Sequence, residues 1–461
     1  MIGDTIAAVT TPPGKGGVAL LRVSGPGTLQ VLGAVFRTGA GKALSDPEPR
    51  RAYYGTIRTP GEEEMIDDGI AVFYPAPHSF TGEDVAEITC HGGVLVTRTV
   101  LCALLCAGAR QAEAGEFPRR AFLNGKLRLS EAEALGTLLD AATEQQRRLA
   151  RSGLNGNLSR AVQALYDRLC TVLASIYAKI DYPDEDLADL SGAQIRTMLS
   201  EVLCDVQRLG ATWQTGRAIA EGIPTVICGA ANAGKSSLYN RLVGYDAAIV
   251  TDIAGTTRDV LTQTVPLGQM TLRLYDTAGL RESDDPVEKI GVARAREALE
   301  QAELILAVFD ASRPLGQEDQ GVFSLLADRT ERVIAVLNKT DCGQDADTVR
   351  ALRAHFPVCI PVSAARGDGM EALVQCVQAR FLDGNLDISQ DAVIANARQH
   401  AALTRCRQAL EQAIRAIDDG LPTDLYCTDA EYAMQAVAEV DSRTVSEDVV
   451  SAIFSHFCVG K

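Results

Sequence analysis

Basic residues are in short supply: 44 Lys+Arg stand against 60 Asp+Glu, leaving a formal net charge of -16 over 461 residues. That balance argues against sequence-independent coating of DNA or RNA, which needs a broad basic surface to meet phosphates, while local nucleic-acid contact stays open. The twelve cysteines form no CxxC pair, and the nearest spacing, Cys102 with Cys106, lies in an apolar helical run with no histidine beside it. That pattern reads as ordinary thiol packing and not as a zinc site. At this length, which predicts roughly three domains, buried cores make a disulfide framework unnecessary, and a reducing cytoplasm is the expected compartment. No apolar run reaches the roughly 18 residues of a membrane span; even Gly93 to Ala109 is interrupted by Arg98. The start, MIGDTIAAVTTPPGKGG, carries an early Asp4 and no basic stretch, so it does not read as a signal peptide.

What is present has a clear order along the chain. Short β-type runs (VALLRVSG, AYYGTIRT, GIAVFY, VAEITCHGG) separated by turn clusters predict a compact α+β domain over residues 1–122. From about Leu129 the texture turns helical as far as about Ala220, interrupted by the acidic stretch DYPDEDLADL, read as a solvated connection. Between Ile223 and Phe381, apolar runs (PTVICG, LRLYDT, ELILAVFDAS, RVIAVLNK, VCIPVSA) alternate with helical segments, the pattern of a parallel sheet covered on both faces. Helical texture then returns. The expected architecture is multidomain α/β: an α+β N-terminal domain, a helical domain in two pieces (123–220 and 381–461), and an α/β domain (221–380) inserted into it.

The inserted domain carries a nucleotide signature. Gly229-Ala-Ala-Asn-Ala-Gly234-Lys235-Ser236 fits GxxxxGK[ST] between a strand and a helix beginning near Lys235, the context a P-loop requires. Backbone amides from Asn232, Ala233 and Gly234 through Ser237 can wrap phosphate oxygens, Lys235 can reach the β and γ phosphates, and the Ser236 hydroxyl can ligate Mg²⁺. Asp276-Thr277-Ala278-Gly279 follows a strand, placing a carboxylate beside the metal and an amide near the γ-phosphate. Asn338-Lys339-Thr340-Asp341 follows another, where a carboxylate can accept both N1–H and N2–H of guanine, a donor pair that adenine lacks. Ser363, Ala364 and Ala365 supply a last loop, with a backbone amide able to face guanine O6. The ligand is therefore expected to be GTP. The stretch Thr251, Asp252, Ile253, Ala254, Gly255, Thr256, Thr257 is the candidate first switch, able to close over Mg²⁺. Leu280 stands where Ras-like enzymes have a water-orienting glutamine, so hydrolysis needs another group, and Asn232 could hold a monovalent cation that offsets developing charge.

Outside this domain each motif is ambiguous by itself. TPPGKGG can be a hairpin turn, HGG a strand-to-helix turn, and the terminal Cys458-Val-Gly-Lys461 an unstructured end. Arg22, Glu87 and Lys126 would suit a ligand with carboxylates and a pterin-like edge if they met in space. Taken together, GAANAGKSSLYN, TDIAGTTRD, DTAGLRES, NKTD, SFTGEDVAEITCHGG, GEFPRRAFLNGKLRLSEAEA and the CVGK end resemble the MnmE (TrmE) family of tRNA-modification GTPases over essentially the whole chain.

That resemblance implies a Ras-like G domain and a folate-binding-like N-terminal domain at a homodimer interface. Arg22, Glu87, Lys126 and Lys461 would contribute to a site for 5-formyltetrahydrofolate or methylenetetrahydrofolate. It further implies K⁺ held by Asn232, Thr251, Ile253 and Thr256, Mg²⁺ held by Ser236 and Thr257, Glu288 as the catalytic glutamate, and a functionally required Cys458. The implied partner is MnmG, a flavoprotein carrying FAD, in a hetero-oligomer that meets tRNA. Two departures stand out: Val459 in place of isoleucine, and Ala231 where the family's P-loop has proline. The competing expectation is a ribosome-assembly or regulatory GTPase of the Era/Der type, which would bring a second G domain or a KH domain.

Overall fold

The computed structural model describes residues 3–61, 64–181, 191–245, 262–275, 298–382, 384, 386–441, 447–455 and 457. The chain is multidomain α/β and divides into two compact units, Met1–Gly136 with Val437–Lys461, and Thr137–Ala436.

In the first unit, β1 (Ile6–Val9), β2 (Val18–Ser24), β3 (Phe36–Thr38), β4 (Ala52–Arg58), β5 (Met65–Tyr74), β6 (Val85–His91) and β7 (Arg110–Gln111) form one sheet, ordered β3-β4-β5-β6-β2-β1-β7. TPPGKGG is indeed the turn of the antiparallel β1–β2 hairpin, and Gly92-Gly93 leads from β6 into the helix Val94–Cys106. Leu21 and Val23 of β2, Ala71 and Phe73 of β5, and Ala86, Ile88 and Cys90 of β6 form a core with the helices Thr28–Val35 and Val94–Cys106. Side chains alternate across a strand, so Arg22 and Glu87, next to these core positions, belong to the opposite face. The C-terminal helix Glu447–Ser455 returns to this unit, where Phe454 and Phe457 pack with Leu129 and Phe122.

In the second unit, β8 (Ile223–Gly229), β9 (Thr262–Leu267), β10 (Met270–Tyr275), β11 (Leu304–Asp310), β12 (Val333–Asn338) and β13 (Cys359–Pro361) are ordered β13-β12-β11-β8-β10-β9. All neighbours are parallel except the β9–β10 hairpin. Every residue of β11 and β12 is buried, which explains their unbroken apolar runs. Ile227, Leu306, Val308 and Val336 pack with helix residues Leu238 and Leu373 on one face. Cys228, Ala307, Phe309 and Ala335 pack with Leu326 and Leu352 on the other. Burial pushes the Cys228 thiol up to about 12, so it is an inert core group. The long helices Gly192–Ala211 and Ala397–Asp418 pair through apolar faces that include Leu199, Val202, Cys406 and Ala409. Among the described residues no helix is long and apolar enough to cross a membrane.

Candidate functional site

The nucleotide motifs that lie in the described residues converge at the carboxyl ends of the parallel strands, where open α/β sheets bind ligands. After β8, the P-loop leads into the helix Lys235–Tyr245. Both motif glycines are dictated by packing as well as by phosphate. A Cβ on Gly229, at φ 151°, would stand 2.2 Å from Val308 O, and one on Gly234, at φ 99°, would stand 2.1 Å from Asn338 Nδ2. Lys235 Nζ donates to Gly229 O and Ala230 O, each at 2.8 Å, which centres its charge within the curl of the loop. Ser236 and Ser237 follow in the first turn, where free amides and the helix dipole favour an anion. Asn232 is exposed and held at a left-handed φ of 58°.

The Asn338 side chain ties the base-reading loops to the P-loop. Asn338, only 2% exposed, donates through Nδ2 to Ala233 O at 2.9 Å and accepts at Oδ1 from the Ala364 amide at 3.0 Å. Ser363 Oγ donates to Asp341 Oδ1 at 2.7 Å; this bond, against a smaller opposing effect of burial, holds the Asp341 carboxyl below its ordinary value. An ionised, oriented carboxylate is the acceptor that guanine N1–H and N2–H require. Lys339, at φ 63°, anchors its ammonium on Asp310 at 2.7 Å. Burial works to raise the Asp310 carboxyl, but the bonds from Lys339 and Ser312 outweigh it and keep it low. Thr340 opens the short 3-10 turn that presents Asp341.

In the first unit Arg22 and Glu87 are direct cross-strand partners. Arg22 Nη2 and Nε both reach Glu87 Oε1, at 2.7 and 3.0 Å. The Arg22 guanidinium also lies 5.2 Å from the Phe80 ring and 5.7 Å from the Phe117 ring. Lys126 packs its stem on Gly82, where an added Cβ would be 3.0 Å from Lys126 Cγ, two residues from Phe80. Among the described residues no bond joins Lys126 to Arg22 or Glu87.

Sequence reasoning missed Phe80, Phe117 and the arginine that holds the stretch carrying Phe80. Arg120, 5% exposed, reaches Asp4, Glu83 and Glu116 at 2.6, 3.1 and 2.9 Å. Glu83 in turn accepts from Ser24 Oγ at 2.8 Å, which fixes the stretch carrying Phe80 beside β2. Two arginines in the segment FPRRAF were the available signal.

Two family models match: "GTP-binding protein TrmE N-terminus" over residues 5–126 and "MnmE helical domain" over residues 129–458. The tRNA modification GTPase MnmE of Heliobacterium modesticaldum is 42% identical over 469 residues, covering 100% of both chains. The chain belongs to the MnmE family of tRNA modification GTPases. The protein of the same name from Symbiobacterium thermophilum is 43% identical over 460 residues, with 99% of each chain covered. Among solved structures, a point variant of Aquifex aeolicus Era bound to GDP.AlF4- matches over 40% of this chain and 65% of that one, at 26% identity and a TM-score of 0.29.

Several residues expected to act lie outside the described ones: Thr251, Asp252, Ile253, Ala254, Gly255, Thr256 and Thr257, Asp276, Thr277, Ala278 and Gly279, Glu288, Cys458 and Lys461.

Proposed function

We propose that this chain is a K⁺-activated GTPase that works with a flavoprotein partner, MnmG, to install an aminomethyl or carboxymethylaminomethyl group on carbon 5 of the wobble uridine of certain tRNAs. The observation that carries the nucleotide half of this reading is the Asn338 bridge between P-loop and base loop, with Asp341 set beside it by Ser363. Those groups fit GTP: a lysine within a phosphate-sized curl, and a low-pKa carboxylate for the guanine edge.

For the metals, Ser236 offers a hydroxyl at the helix start and Asn232 an exposed amide at the rim of the loop, a hard-oxygen donor set suited to Mg²⁺ and K⁺. Thr257 would complete the Mg²⁺ set, and Thr251, Ile253 and Thr256 the K⁺ set. K⁺ would neutralise charge that develops during hydrolysis, and Glu288 would orient the attacking water.

In the N-terminal domain, Arg22 and Glu87 form a polar pair beside the exposed Phe80 ring, with the buried Phe117 packed against Arg22, a mixture of polar and aromatic groups suited to a tetrahydrofolate. Lys126 would extend this site. The helix Glu116–Leu123 presents Phe117 to Arg22, and Phe454 abuts that same N-terminal end, where its carbonyl leaves no room for a Cβ on Gly115. On this reading Cys458 and Lys461 would also contribute to the site. The folate would donate the one-carbon unit and the partner would carry FAD. A homodimer through the N-terminal domain, a helical domain split between 123–220 and 381–461, and an inserted G domain at 221–380 complete the reading.

Mass spectrometry of nucleosides from tRNA of cells with and without this protein tests it. Loss of the 5-substituted wobble uridines, restored by the wild-type chain, is the expected result. An unchanged nucleoside profile in cells with no redundant enzyme would overturn it in favour of the ribosome-assembly alternative.

A further inference from the structure

Arg241 stands on the helix that begins with the phosphate-binding Lys235 and Ser236, roughly a turn and a half further along. Its guanidinium reaches across to the loop after β13, where Nε donates to Ala364 O at 3.1 Å and Nη2 to Ala365 O at 2.6 Å. The plane also covers Gly367, where an added Cβ would lie 3.5 Å from Arg241 Cζ. Among the described residues no carboxylate pairs with this cation, so its bonds go to two neutral carbonyls of the loop.

Those two carbonyls belong to the peptide units that aim the loop's amides. The Ala364 amide is committed to Asn338 Oδ1, the Arg366 amide to Ser363 Oγ and the Gly367 amide to Ser363 O. The Ser363 amide is bonded to Asp368 O, so among the amides of residues 363–367 these bonds leave Ala365 N–H for a base oxygen. In a planar trans peptide the C=O and the following N–H point in opposite directions. Drawing Ala364 O towards Arg241 therefore turns Ala365 N–H away from the helix.

We infer that Arg241 is a positioning residue for guanine specificity: it fixes the Ala364–Ala365 peptide so that its N–H meets O6, and it couples the base loop to the helix that holds the phosphates. This rests on the guanine-site reading above and deepens it. The charge on Arg241 strengthens both carbonyl contacts relative to neutral donors, and its rigid fork suits two acceptors on adjacent peptides, which a lysine ammonium could not hold in one plane.

The test compares GDP with two analogues on the full chain. 6-Thio-GDP keeps N1–H and the N2 amino group but replaces O6 by sulfur, a weak acceptor. IDP keeps O6 and N1–H but lacks the amino group, so it senses Asp341. In Arg241→Ala and the milder Arg241→Gln, the preference for GDP over 6-thio-GDP should fall by about tenfold, the worth of one well-placed hydrogen bond. The preference for GDP over IDP should not change. Ratios of affinities for the same sample are insensitive to a partly unfolded fraction, so a folding defect alone moves neither. Wild-type ratios retained in both variants would overturn the role of Arg241, as would a parallel collapse of both ratios. A wild-type chain that does not prefer GDP over IDP would instead overturn the guanine-site reading itself.

Discussion

Replacing Asn338 by alanine removes a side chain that joins phosphate loop to base loop. Its amide satisfies Ala233 O and the Ala364 amide, at 2.9 and 3.0 Å, in a site where Asn338 is 2% exposed. Each group is left buried without its partner, at about 1–3 kcal/mol apiece, so Asn338→Ala should cost about 2–6 kcal/mol. That is a large fraction of the 5–15 kcal/mol that holds a typical domain together. The chain's single tryptophan, Trp213, lies in the same unit, stacked on His400 at 4.9 Å, and its fluorescence reports unfolding there. With a urea slope of about 3 kcal/mol/M, the midpoint should drop by roughly 0.7–2 M, accompanied by a severe loss of GDP affinity. Asn338→Asp is the companion test. It keeps an acceptor for the Ala364 amide but sets a carboxylate oxygen against Ala233 O, so it should be no better than alanine. A loss under about 0.5 kcal/mol in Asn338→Ala, with GDP binding intact, would refute the idea that this bridge holds the site together.

Substituting Na⁺ for K⁺ at equal ionic strength should depress GTP turnover severely, and equal steady-state rates would remove the cation role of Asn232. Glu288→Ala should slow single-turnover hydrolysis while leaving GTP affinity nearly unchanged; a large affinity loss would assign that residue a structural role instead. In the N-terminal sheet, Asp67 accepts from the ring of His91 at 2.8 Å, chiefly through that bond raising the imidazole above its usual 6.5. The pair's contribution is thus fully present below about 6.5 and lost as pH rises through the higher folded value. An NMR titration of His91 should therefore show a midpoint that Asp67→Asn returns to ordinary; an unshifted wild-type ring would contradict the pairing.

The features legible in the sequence are those in which one local segment answers one demand. The runs LILAVFD and VIAVLN read as buried strands because both faces of their sheet are covered, so no polar residue interrupts them. TPPGKGG and HGG read as turns because proline and glycine restrict or free the backbone whatever surrounds them. Juxtapositions were not legible. Arg22 and Glu87 meet only because β2 and β6 pair in a register that sets Leu21 opposite Ile88, and nothing within either strand states that register. Arg241 is harder still, since an arginine four positions after Ser237 reads as solvated helix surface until the loop after β13 is seen beneath it. The GxxxxGK pattern is an intermediate case. Its spacing announces a phosphate loop, yet Gly229 and Gly234 are also the points where Val308 O and the Asn338 amide come too close for a side chain. Gly234→Ala would accordingly injure the loop even without phosphate, by displacing Asn338. The motif is easy to recognise because ligand chemistry and chain packing ask for the same two residues.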